Sequence, residues 1–114
     1  MVVEDEPTIA MLLSEVLQSM GHVVCAVEAR EAGAVAAAAR CKPDLMLVDA
    51  RLKHGSGLLA VERILRTGFV PHVFVSGDRL EDRGLGAGAV ILQKPYREAD
   101  LKQAMQRAML AAVA

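Results

Sequence analysis

Five side chains in this sequence have the types and spacing to do chemistry together. They are Glu4, Asp5, Asp49, Ser76 and Lys94. Each follows an apolar run: Val2-Val3 before Glu4-Asp5, Leu45 to Val48 before Asp49, Val73 to Val75 before Ser76, and Val90 to Gln93 before Lys94. Short apolar runs of this kind read as strands buried on both faces of a parallel sheet. Their carboxyl ends are where open α/β sheets build ligand sites. Three carboxylates at one sheet edge repel each other unless a hard divalent cation sits among them. An oxygen-only, half-open site suits magnesium, which keeps waters and accepts phosphoryl oxygens. Asp49 is then a carboxylate nucleophile, with the Lys94 ammonium and the Ser76 hydroxyl as donors to a phosphoryl group. Taken alone, Asp49 reads equally as a helix cap or an ion-pair partner, and Glu4 as an acid favoured by a helix dipole. The four strand ends in register favour the shared site.

The elements that must position these residues alternate between strand-like and helical, which argues for an α/β fold with helices on both faces of a parallel sheet. Pro7 fits a first helical turn, and Ile9, Leu12, Leu13, Val16, Leu17 and Met20 follow at helical spacing up to a capping Gly21. His22 to Val27 reads as the second strand, and alanine-rich Ala29 to Arg40 as a helix stopped by Pro43. Gly55-Ser56-Gly57 reads as a turn, with Leu58, Val61, Ile64 and Leu65 marking the next helix. His72 to Ser76 and Val90 to Gln93 are the fourth and fifth strands, and Tyr96 to Val113 the final helix. Between them, Arg79 to Arg83 has helical character but Gly84, Gly86 and Gly88 follow, so the fourth helix is expected to be short or disordered. In a flavodoxin-like, doubly wound, five-stranded sheet of order 2-1-3-4-5, the switch point lies between the first and third strands, which deliver Glu4-Asp5 and Asp49. Met1-Val2-Val3 is short for a strand, so the first strand reads as clipped or as a late natural start.

Residues 1–114 suffice for one domain with a core and no staples. Hydrophobic residues reach 54%, largely alanine, and aromatics only 3%, so aliphatic side chains and methionine must fill the core. A net charge of −1 makes no case for direct nucleic-acid or membrane binding. There is neither a transmembrane-length apolar stretch nor a signal peptide, which suggests a soluble cytoplasmic domain. Cys25 and Cys41 stand 16 positions apart without metal or redox-motif spacing, and Cys25 reads as a reduced, buried thiol. His22, His54 and His72 lie on separate segments and read as surface or core residues. The glycines at 84, 86 and 88 precede a strand, contrary to a dinucleotide-binding turn.

In order and spacing, Glu4-Asp5, Asp49, Ser76 and Lys94-Pro95 resemble the receiver domain of two-component response regulators, the fold of the single-domain chemotaxis regulator, over essentially the whole chain. The resemblance implies that Asp49 is the phosphoacceptor, taking a phosphoryl group from a histidine kinase or phosphotransfer protein. It implies Mg²⁺ held by Asp5, by Glu4 through water, by Asp49 and by the backbone carbonyl of Arg51. Ser76 and Lys94 would bind phosphoryl oxygens, and the Lys94-Pro95 peptide would be cis. The activity implied is self-catalysed phosphorylation and dephosphorylation of a signalling module, not that of a conventional enzyme.

Two positions depart from the pattern. Ile91 stands where the family usually has an aromatic switch residue. Phe74-Val75-Ser76-Gly77-Asp78 partly matches the Phe-Ala-Thr-Gly-Tyr loop of an atypical subgroup that often works with HWE or HisKA2-type kinases, with Asp78 in place of the tyrosine. Activation would then run through the loop that begins at Gly77 and Asp78. A degenerate receiver acting as an unphosphorylated scaffold is the alternative. An aspartate-nucleophile phosphatase would want an acid where Arg51 stands, and a flavin carrier would not place Glu4-Asp5-Glu6 against a phosphate. The last helix offers Lys102, Gln103, Gln106 and Arg107 as a contact surface, and the expected state is a monomer or weak dimer.

Overall fold

Val, Leu, Ile and Met supply most strand positions, and each strand alternates its side chains between two apolar layers. The computed structural model describes residues 1–80 and 84–112. In chain order the elements are β1 (Val2–Val3), α1 (Pro7–Ser19), β2 (Val27–Glu28), α2 (Glu31–Cys41), β3 (Met46–Asp49), α3 (Gly57–Leu65), β4 (His72–Ser76), β5 (Val90–Gln93) and α4 (Glu98–Ala111). The five strands form one parallel sheet in the order β2-β1-β3-β4-β5, a flavodoxin-like arrangement. Val2, Leu47, Val73, Val75, Val90 and Leu92 face α1 and α4, where Leu13, Leu17, Leu101 and Met105 meet them. Val3, Met46, Val48 and Phe74 face α2 and α3, against Ala37, Ala60, Val61 and Ile64. Period-two alternation and helices on both faces explain why the strands carry almost no polar residue until their ends.

Helix boundaries follow local chemistry. Pro7 opens α1, where its missing N–H costs nothing, and Gly21 follows its end at φ +93°. Ser56 caps α3 by accepting the Leu59 N–H at 3.3 Å, so Gly57 is the first residue of a helix and not part of the preceding turn. The final helix is shorter than Tyr96 to Val113: it begins at Glu98, where the Asp100 carboxylate accepts the Arg97 N–H at 2.9 Å, and Val113 lies outside the described residues. Met109 and Leu110 of this helix, and Leu12 of α1, are exposed instead of buried. Lys102, Gln103, Gln106 and Arg107 line its solvent side.

The second strand is also shorter than the sequence suggests. His22 to Ala26 is irregular, with Val23 90% exposed, and only Val27 and Glu28 pair with β1. The reason is the neighbour: β2 is an edge strand whose sole partner has two residues, so pairing ends where β1 ends. The Met1 carbonyl accepts the Leu47 N–H at 3.0 Å and its amino group donates to the Leu45 carbonyl at 2.9 Å, extending the contact with β3 by one residue. Cys25 consequently lies in an exposed lead-in, not in the core. His72 is a core residue, its ring between Phe69 and Phe74 and its Nδ1 2.8 Å from the Val70 carbonyl. Between β4 and β5 the described residues 77–80 and 84–89 form no helix, while Leu80, Leu85 and Ala89 pack against the α2–α3 side of the core. The helical stretch read over Arg79 to Arg83 falls partly outside the described residues. No helix among the described residues is long and apolar enough to cross a membrane.

Candidate functional site

Two strand ends bring three carboxylates together because β1 and β3 are neighbours while their crossovers leave in opposite directions. The result is one oxygen from each of Glu4, Asp5 and Asp49, all within 4.8 Å of one another. Each carboxylate is held by backbone. Glu4 Oε2 accepts the N–H groups of Asp5 (2.9 Å) and Glu6 (3.4 Å), Asp49 Oδ1 accepts the Arg51 N–H (3.1 Å), and Asp5 Oδ2 accepts the Lys53 N–H (2.6 Å). Lys94 enters from the end of β5, its Nζ 3.6 Å from Asp49 Oδ2 and 3.7 Å from Glu4 Oε1. The Lys94 N–H donates to the Ser76 carbonyl at 2.8 Å, tying the ends of β4 and β5 together, and the Lys94-Pro95 peptide is cis.

Glu4 is the buried member, only 6% exposed. Its carboxyl stands raised from the ordinary 4.5 to about 7, with burial the largest cause. A hydrogen bond with Asp49 and the Asp49 charge add to this, and the Glu6 N–H and the Lys94 ammonium only partly offset them. Without a cation the cluster therefore retains a proton near neutrality. A hard, oxygen-seeking cation such as Mg²⁺ fits this donor set: acids crowded on one side, backbone-fixed orientations and no sulfur or imidazole.

Ser76 is buried at the end of β4, and its hydroxyl is engaged: it donates to the Asp78 carbonyl at 2.7 Å and accepts the Asp78 N–H at 3.1 Å. Arg51 stands beyond Asp49 with an exposed side chain that nonetheless pairs with Asp78, Nε to Oδ2 at 3.2 Å. The pair spans the loops after β3 and β4. An exposed ion pair of this kind contributes little, so Asp78→Ala is expected to change stability by no more than about 1 kcal/mol in a urea melt. Gly77 is exposed with open space around it, and Ile91 is half-buried on β5 beside Phe74.

Three contributors are not evident from motif spacing. Gly57 abuts the Asp49 carbonyl so closely that a Cβ there would overlap it. Glu31 accepts the Ser56 N–H at 2.9 Å and an Arg63 N–H at 3.0 Å, fixing the far end of the loop after Asp49. Tyr96 lies near enough to Lys94 and Glu4 to feel both charges, while burial raises its phenol pKa. Gly57 stands in a Gly55-Ser56-Gly57 stretch that reads only as a turn, so the sequence carries no separate signal for its approach to Asp49.

A family model described as the response regulator receiver domain matches residues 1–106. The phyllosphere-induced regulator PhyR of Methylorubrum extorquens is 34% identical over 113 residues, 96% of this chain and 42% of that protein. The transcriptional regulatory protein PdtaR of Mycobacterium tuberculosis is 31% identical over 113 residues, 96% of this chain and 55% of that one. The chain thus spans about half the length of these curated relatives. The solution structure of the receiver domain of Erythrobacter litoralis PhyR superposes with a TM-score of 0.78 at 32% identity, covering 96% of this chain and 88% of that one.

Proposed function

This chain belongs to the response regulator receiver domain family, and we propose that Asp49 is its phosphoacceptor in two-component signalling, with residues 1–114 acting as one receiver domain. The observation that carries this reading is the Glu4, Asp5 and Asp49 oxygens gathered within 4.8 Å, with the Lys94 ammonium 3.6 Å from Asp49. A carboxylate oxygen of Asp49 attacks phosphorus, a P–O bond forms, and the bond to the donor's imidazole nitrogen breaks. The leaving imidazole takes its proton from solvent. Lys94 sits where it can neutralise a phosphoryl oxygen, and Ser76 can donate to another once its hydroxyl turns away from the Asp78 carbonyl. Mg²⁺, held by Asp5, Asp49, the Arg51 carbonyl and, through water, Glu4, would offset charge on the transferring group.

The donor in this reading is a histidine kinase or phosphotransfer protein, in the cytoplasm. The partial loop match favours the HWE or HisKA2 type. Output runs through the segment after β4, because Ile91 leaves no aromatic ring for Ser76 to couple to and Ser76 instead holds Asp78. Amide exchange that does not change between Gly77 and Gly88 on phosphorylation would count against that route. The engaged Ser76 hydroxyl also favours a second reading, a scaffold that binds partners unphosphorylated.

Intact-mass spectrometry after incubation with acetyl phosphate or phosphoramidate separates the two. One phosphoryl adduct is expected, lost on withdrawal of Mg²⁺ and in Asp49→Ala. Folded, Mg²⁺-binding protein that takes no adduct from these donors or from a phosphorylated histidine kinase would leave the scaffold.

A further inference from the structure

At the opposite end of the sheet from the acidic cluster, the fold brings together two thiols that the sequence keeps 16 positions apart. Cys25 lies in the exposed lead-in to β2, and Cys41 is the last residue of α2, which packs over that strand. The Cys41 thiol donates to the Cys25 carbonyl at 3.5 Å, which places its sulfur beside that residue. Both line an open cleft of about 430 Å³, together with His22, Lys42 and Asp44. A small oxidant can therefore reach them without unfolding the chain.

We propose that Cys25 and Cys41 form an oxidation site that closes to an intramolecular disulfide in response to a peroxide. The exposed Cys25 thiolate attacks one peroxide oxygen, the O–O bond breaks, and hydroxide leaves to be protonated to water. This gives a sulfenic acid on Cys25. Cys41, the less exposed thiol, then attacks that sulfur as its thiolate. The S–S bond forms, the S–O bond breaks, and a second water leaves. Sulfur gives up two electrons and the peroxide takes them.

The order of attack follows exposure. Burial and the neighbouring Cys25 raise the Cys41 thiol above its ordinary pKa, with Arg40 and the N-terminal amino group only partly opposing. That suits a resolving thiol better than an attacking one. Closing the bond would tie the irregular His22–Ala26 stretch to the end of α2, pinning the sheet edge that pairing with β1 leaves unsupported. In a reducing compartment such a bond is transient and reports oxidant exposure.

The test uses the intact chain, reduced, desalted, treated with hydrogen peroxide, and alkylated with N-ethylmaleimide under denaturing conditions. The reduced protein should take two adducts. The oxidised protein should take none, weigh about 2 Da less, and regain both sites after dithiothreitol. Peptide mapping should find the fragment bearing Cys25 joined to the fragment bearing Cys41. In Cys41→Ser, dimedone should trap a sulfenic acid on Cys25, whereas Cys25→Ser should consume peroxide at least tenfold more slowly. Two alkylatable thiols surviving peroxide that oxidises free glutathione would overturn the proposal. So would loss of thiols only by oxygen addition or by bonds between chains. Equal trapping of Cys41 in Cys25→Ser would overturn the assigned order. Asp49 phosphorylation should be the same in both serine variants, since the pair is remote from the acidic cluster.

Discussion

Gly57→Ala is expected to destabilise the protein by about 2–4 kcal/mol, lower Tm by roughly 10 °C, and depress phosphoryl uptake at Asp49 more than tenfold. Gly57 sits at the first position of α3, its N–H donating to the Ala50 carbonyl at 3.1 Å. An added methyl would overlap the Asp49 carbonyl oxygen and press on Val48 Cγ1, a side chain in the core. Neither neighbour is a flexible tip that can swing aside. Either α3 backs away and loses its Ser56 cap and the bond to Ala50, or the end of β3 moves and takes Asp49 with it. A displacement of about 1 Å at a nucleophile can cost about 100-fold in rate. A urea melt and the rate of adduct formation measure the two effects separately. A change below about 0.5 kcal/mol, the size usual for an unremarkable surface site, would show that the close approach is relieved at no cost.

In EDTA, stability is expected to fall as pH rises from 4.5 to about 7, the reverse of the ordinary trend for acids. The folded state keeps Glu4 protonated to about 7, whereas the unfolded chain loses that proton near 4.5. A group with a raised folded pKa contributes stability that is fully present below its unfolded value and disappears as pH passes the folded one. The loss is on the order of a few kcal/mol. Below 4.5 the slope reverses, because Glu31 and Asp100 have pKa values lowered by their backbone hydrogen bonds, and protonating them forfeits that stabilisation. Glu4→Gln mimics the protonated acid and should flatten the curve between 4.5 and 7, leaving the variant more stable than the parent at pH 8 in EDTA. Saturating Mg²⁺ should flatten the parent's curve as well. Chemical denaturation at a series of pH values decides it. A parent that gains stability across that interval in EDTA would refute the assignment.

The contrast between β3 and β2 shows what was legible in the sequence. Met46 to Val48 form an apolar run buried on both faces, so their own composition identifies them, and the same holds for β4 and β5. The extent of β2 is set by its partner instead: His22 to Cys25 have strand-like character but stay outside the pairing because β1 offers two residues. Residue type and strand-end position led to the expectation that Glu4, Asp5, Asp49 and Lys94 meet at one sheet edge, and the structure brings those four together. The Arg51–Asp78 pair and the support from Glu31 and Gly57 depend on how loops fold over those ends, which no periodicity encodes. Cys25 illustrates the same limit, since its neighbour is fixed by the packing of α2 over the sheet edge.

The position of β1 bears on how the chain folds. Two residues at the start of the sequence occupy the second place in the sheet, and their nearest structural support on one side begins at Leu45, 44 positions beyond Met1. The loop between them must close before that pairing returns any favourable energy, and its entropy is the largest among the β1 contacts. A nascent chain can assemble α1 or α2 locally and pair β1 with β2, but the other side of β1 has no partner until β3 has emerged. The acidic cluster is therefore complete only once β1 and β3 have paired across that loop. The same loop closure makes β1 a low-φ element: Val3→Ala should speed unfolding much more than it slows refolding.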